Sequence, residues 1–90
     1  MARIRTIKPD FWTDEKIIEM TPLARLMFIG LWNFADDSGR LEYSPRAIGM
    51  KVLPADSADY SELLGELRRA SLITVYEIDG KEYLQVNGFS

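Results

Sequence analysis

Apolar side chains recur along this chain in different rhythms, and each rhythm marks a kind of element. Between positions 22 and 35, Leu23, Met27, Leu31 and Phe34 return at helical spacing, with Leu26 and Gly30 beside them. Thr21-Pro22 precedes them, a cap residue followed by a proline at the first helical position. Phe28, Ile29 and Trp32 carry the apolar surface so far round the cylinder that more than one side must be covered. The preceding segment can cover part of it, and another subunit the rest. From 58 to 70, Tyr60, Leu63, Leu64 and Leu67 form a cleaner stripe, with acids early and arginines late, as the helix dipole favours. Asp56 and Ser57 are the candidate caps.

Shorter signals fill the rest. Thr13 is a candidate cap for a short helix reaching Met20, to which Ile17 and Ile18 contribute apolar surface. Asp36-Asp37-Ser38-Gly39 reads as a turn and 40–43 as a short strand. Ser44-Pro45 repeats the cap-proline signal and starts a helix to about Val52, which Leu53-Pro54 ends. The stretches 72–78 and 82–86 flank Asp79-Gly80, a two-residue hairpin turn. That turn pairs Val75 with Leu84 and Ile73 with Val86 on one face, and Tyr76 with Tyr83 and Thr74 with Gln85 on the other. Glu77 and Glu82 then oppose each other near the tip. Helix, strand, helix, helix and hairpin, in that order, predict an α+β winged helix-turn-helix with an extra N-terminal helix and a two-stranded wing. Residues 1–20 form an arm and short helix, 21–90 the winged-helix domain, and 1–90 one structural unit.

Ninety residues, 47% of them apolar, suit one globular domain. With no histidine and no cysteine, the chain lacks the usual proton shuttle, thiolate nucleophile and soft metal ligands. No glycine loop has phosphate-cradling spacing. Asp36, Asp37 and Glu42 are not spaced as a calcium loop. No catalytic residue, metal or cofactor is therefore expected, and the reading is not an enzyme. The longest apolar stretch, 26–31, is too short to span a bilayer and no signal peptide opens the chain, so a cytoplasmic location is expected.

The net charge is −3, whereas a dedicated DNA-binding domain usually carries a basic footprint. Here that footprint is local. Arg3, Arg5 and Lys8 lie in an acid-free extended arm, and Arg46 and Lys51 in an acid-free stretch at 44–52. Arg68 and Arg69 close the second helix of the pair, whose front carries Asp59, Glu62 and Glu66. Carboxylates repel phosphates, so that helix is an unpromising groove reader. The arm can reach a minor groove through its arginines or pack on a neighbour through Ile4 and Ile7. Phe28, Trp32, Tyr76 and Tyr83 complete the candidate interface, as core or contact aromatics more than base-stacking ones.

Residues 1–12, Met-Ala-Arg-Ile-Arg-Thr-Ile-Lys-Pro-Asp-Phe-Trp, resemble the start of many phage and prophage proteins. So do Leu23-Ala24-Arg25-Leu26, Phe28-Ile29-Gly30-Leu31-Trp32-Asn33, Ala35-Asp36-Asp37 and Gly39-Arg40-Leu41. The chain is similar to replisome organisers and replication initiators with a DnaD-like N-terminal winged helix. The likeness is specific in 1–41 and generic at 53–70. It implies a self-associating winged-helix scaffold in a bacterial host cell, a homo-oligomer joined in longer members to a C-terminal part that binds DNA or recruits a helicase loader, and no catalytic residue. DNA, a second copy and a helicase loader are the expected partners. Two departures stand out: the chain stops at Asn87-Gly88-Phe89-Ser90, where longer relatives continue, and its second helix is acidic. Both fit an assembly domain for phage replication. They also fit the alternatives: a small phage inhibitor that binds a host or defence protein, such as an anti-CRISPR, or a transcriptional regulator.

Overall fold

The computed structural model describes residues 5–88. Among them are a 3-10 turn, Pro9–Thr13, then α1 (Glu15–Ile18), α2 (Pro22–Phe34), β1 (Arg40–Glu42), α3 (Pro45–Val52), α4 (Tyr60–Arg69), β2 (Ile73–Ile78) and β3 (Lys81–Val86). The fold is α+β: four α-helices and a three-stranded antiparallel sheet of order β1-β3-β2.

The hairpin follows from its turn. Asp79 and Gly80 both take positive φ, 51° and 81°, the left-handed pair that a two-residue turn of matching twist requires. From it the register runs Ile78↔Lys81, Tyr76↔Tyr83, Val75↔Leu84 and Ile73↔Val86, as the alternation predicts. The expected two-stranded wing is, however, part of a three-stranded sheet. β1 pairs with β3, Leu41 opposite Leu84, so the sheet buries a continuous apolar face. Three residues of strand sustain this because the flanking chain also bonds: Val86 N–H donates to Gly39 and Tyr43 N–H to Glu82.

Two helix starts differ from expectation. Asp14, not Thr13, caps α1, accepting from the amide of Lys16 at 2.9 Å, because Pro9 has already wound the chain to Thr13 into a 3-10 turn. Asp59, not Asp56 or Ser57, caps α4, accepting from the amide of Glu62 at 3.1 Å.

The core gathers Ile17 and Met20, the inner face of α2 (Ala24, Met27, Phe28, Leu31), Ile48 of α3, Leu63, Leu64 and Leu67 of α4, and Ile73, Leu84 and Val86 of the sheet. Each large side chain so enclosed contributes roughly 1.5–3 kcal/mol. No charged or polar residue is buried with them among the described residues. Two glycines set how closely the helices cross. A Cβ on Gly30 of α2 would overlap the Val52 methyls of α3, and one on Gly49 of α3 would overlap the Tyr60 ring of α4.

Phe28 corrects the expectation of an interface residue. It is only 6% exposed, because Phe11 of the 3-10 turn lies parallel to it (centroids 6.4 Å apart) and Trp32 meets it edge-on at 5.4 Å. The N-terminal segment thus covers this side of α2 from within the same chain.

Candidate nucleic-acid interface

α3 carries the clearest cationic surface. Ile48, Gly49 and Val52 turn inward toward α2 and α4, which leaves Arg46, Ala47, Met50 and Lys51 outward. That face holds two cations and no acid. Lys51 is steadied by Phe34, with its ammonium 5.5 Å from the ring centroid. Beneath it is a small apolar cavity of about 60 Å³, lined by Leu31, Leu41 and Ile48 among others. The nearest carboxylate of that lining, Glu42, already pairs with Lys81 at 3.4 Å.

The acids of α4 prove to be engaged. Asp59 caps the helix, and Glu62 binds Arg69 at 2.7 Å. Glu66 does not stand on an open front. Its half-buried carboxylate accepts from the amide and hydroxyl of Thr21, at the start of α2. The hydroxyl that was expected to cap α2 from within is instead a donor to another helix. Of the three, only Glu62 meets a cation; Asp59 and Glu66 accept from neutral N–H and O–H groups and keep their charge, and Arg68 is left outward at the end of the helix.

The cationic residues do not converge on one patch. Arg46 and Lys51 share α3. Arg69 sits with Lys16, Glu19 and Glu66 in a polar cleft of about 280 Å³ between α1 and α4. Lys8 is exposed just before the 3-10 turn, and Arg5 is partly covered. Arg3 and Ile4 lie outside the described residues; Ile7 is exposed.

Of the candidate aromatics, Trp32 is half-buried in the Phe11–Phe28 cluster. Tyr76 and Tyr83 stack across the hairpin on the sheet face away from the helices, 5.9 Å between centroids. They line an open cleft of about 370 Å³ with Arg40, Glu42 and Ile78. Cations here are paired: Arg40 with Asp36 at 3.2 Å and Lys81 with Glu42. The Asp36 carboxyl is held below its ordinary range, chiefly by the Arg40 amide; burial opposes this as the next effect in size, and the Ser38 amide and the Arg40 guanidinium lower it further.

Among the described residues no group of three or more acidic, histidine or cysteine side chains could hold a metal ion, and no helix is long and apolar enough to cross a membrane. No family model, curated protein or solved structure matches the chain.

Proposed function

We propose that the fold is a winged helix-turn-helix, with α3–α4 as the helix pair and β2–β3 as the wing, and that it serves as a recognition and assembly module of phage replication. The observation that carries the DNA half of this reading is the outward face of α3. Two cations stand there without an acid, while the carboxylates of α4 are committed to a cap, an ion pair and the start of α2. In this reading Arg46 and Lys51 meet backbone phosphate. Such contacts position the protein without reading sequence. Lys8, exposed before the 3-10 turn, and the arm arginines Arg5 and Arg3 would add phosphate contacts separate from those of α3. The assembly half of the reading is that the chain self-associates and so multiplies a weak contact.

Fluorescence anisotropy with a labelled duplex and a labelled single strand tests the DNA half. Binding at low salt that weakens steeply as salt rises supports it. Absence of binding to both overturns it.

A second reading, a phage-encoded inhibitor that docks on a protein, is favoured by a different observation. Trp12, Ile18 and Leu26 are each more than half exposed, at 56%, 54% and 52%. Exposed apolar side chains of this size anchor a protein partner where they form one patch.

A further inference from the structure

The two edges of the sheet are finished differently. At β1 the outward backbone of Arg40 is already used: its amide donates to the Asp36 carboxylate at 2.9 Å, and its carbonyl accepts from the Asp36 amide at 3.0 Å, which leaves only Glu42 outward on that short edge. β2 has no such closure. The Leu72 carbonyl accepts from the Asn87 amide, so 72 and 87 form a hydrogen-bonded pair. Antiparallel alternation then assigns the bonds to β3 to Thr74, Tyr76 and Ile78. The N–H and C=O groups of Ile73, Val75 and Glu77 therefore point away from the sheet. Among the described residues no element pairs with them. Of the usual protections of an edge, β2 carries only one charge, Glu77 near the tip: it has no proline or lysine, and its register with β3 is unbroken by a bulge.

This edge is its own complement. Laid antiparallel on a twofold axis through Val75, it sets Ile73 opposite the second copy's Glu77 and Val75 opposite the second copy's Val75. All outward groups of residues 73, 75 and 77 then find partners, and no two glutamates face each other. On the outer face Tyr76 comes beside the second copy's Thr74, an aromatic beside a β-branched residue.

The charges agree with the same geometry. β2 starts just after Arg68-Arg69 and ends at a tip bearing Glu77, Asp79 and Glu82, where Lys81 is drawn to Glu42. Reversing one strand against the other brings the acidic tip of one copy to the arginine end of the other copy's α4. Arg69 is held by Glu62, so Arg68 is the side chain placed to reach across.

We propose that two copies of this chain join through antiparallel pairing of their β2 edges into one six-stranded sheet. The proposal rests on the self-association part of the reading above and is independent of its DNA part. It gives Arg68 a protein carboxylate, not a phosphate, as its partner.

The test is amide hydrogen exchange of the full chain by NMR over a concentration series, alongside sedimentation. The amides of Thr74, Tyr76 and Ile78 should be protected at every concentration. Those of Ile73, Val75 and Glu77 should gain protection only as the dimer forms. Glu77→Pro removes an outward N–H and leaves the β3 ladder intact, so it should raise the dimer dissociation constant by about tenfold or more. Arg68→Glu should weaken the dimer more at low salt than at high salt. A dimer without protection at 73, 75 and 77 overturns this pairing and leaves self-association standing. A monomer at every concentration overturns both. Should Glu77→Pro not fold, the exchange pattern of the unaltered chain still decides.

Discussion

Glu66 of α4 accepts hydrogen bonds from both the backbone amide and the hydroxyl of Thr21, at 2.9 and 2.7 Å, across 45 positions of sequence. One carboxylate thus closes the open N-terminus of α2 and ties it to α4. Glu66→Ala should destabilise the chain by about 1 kcal/mol, the usual cost of a lost N-cap. Thr21→Ala should cost less, because the amide bond to Glu66 survives it. Urea denaturation of both variants and their double measures this, and coupling between them should be evident.

Glycine substitutions should divide by what a methyl would meet. At Gly49 it would strike the Tyr60 ring, which cannot swing aside because its hydroxyl donates to the carbonyls of Leu53 and Asp56, at 3.0 and 3.2 Å. Gly49→Ala should therefore cost about 1–3 kcal/mol despite alanine's better helix propensity. At Gly65 the methyl meets the exposed end of the Arg69 side chain, 3.2 Å away, and the Glu62 carboxylate at 3.9 Å, a surface pair that can give way. Gly65→Ala should stabilise by roughly 0.5–1 kcal/mol. Thermal unfolding of the two variants should show opposite shifts.

Phe11 tests whether the N-terminal segment is part of the fold. It covers Phe28 and meets Trp32 edge-on at 5.9 Å. Phe11→Ala should cost about 2 kcal/mol, less than the roughly 3–5 of a fully buried phenylalanine, because Phe11 is itself only partly covered. The Trp32 emission should move to longer wavelength. An unchanged spectrum and midpoint would mean that the segment does not pack on α2 in solution.

Asp36 gives a pH signature. Its folded carboxyl is held low, chiefly by the Arg40 amide. The stability it contributes is therefore fully present above the ordinary carboxylate range. It is lost as pH falls below about 4, through the lower value of the folded group. Asp36→Asn should remove this share of the acid-side decline, read as a shallower loss of unfolding midpoint between neutral and acid pH. The effect should be small, since the group is exposed.

The hairpin was legible because Asp79-Gly80 leaves one register that puts Val75 and Leu84 on the same face. The starts of α2 and α3 at Pro22 and Pro45 and the stop at Leu53-Pro54 were legible because proline acts locally, although neither the Thr21 nor the Ser44 side chain caps its own helix. What escaped depends on distant chain. Three residues at Arg40–Glu42 carry no mark of which strand they join; β3 supplies that answer from 43 residues away at Leu84 opposite Leu41. Nothing local distinguishes Glu66, which holds Thr21, from Glu62, which holds Arg69. The three acids of α4 therefore differ in what meets them: a cation at Glu62, neutral donors at Asp59 and Glu66. Phe28 stood among the interface residues because a helix apolar on most sides does not reveal which neighbour covers it, and Phe11 was that neighbour.

The most direct test of the account is the slope of DNA affinity against salt for the unaltered chain and for Arg46→Gln/Lys51→Gln. If α3 meets two phosphates, the double variant should bind more weakly on every sequence and its logarithmic slope should be shallower by about 1.8. An identical slope in the two proteins, or no binding by the unaltered chain at low salt, would contradict it.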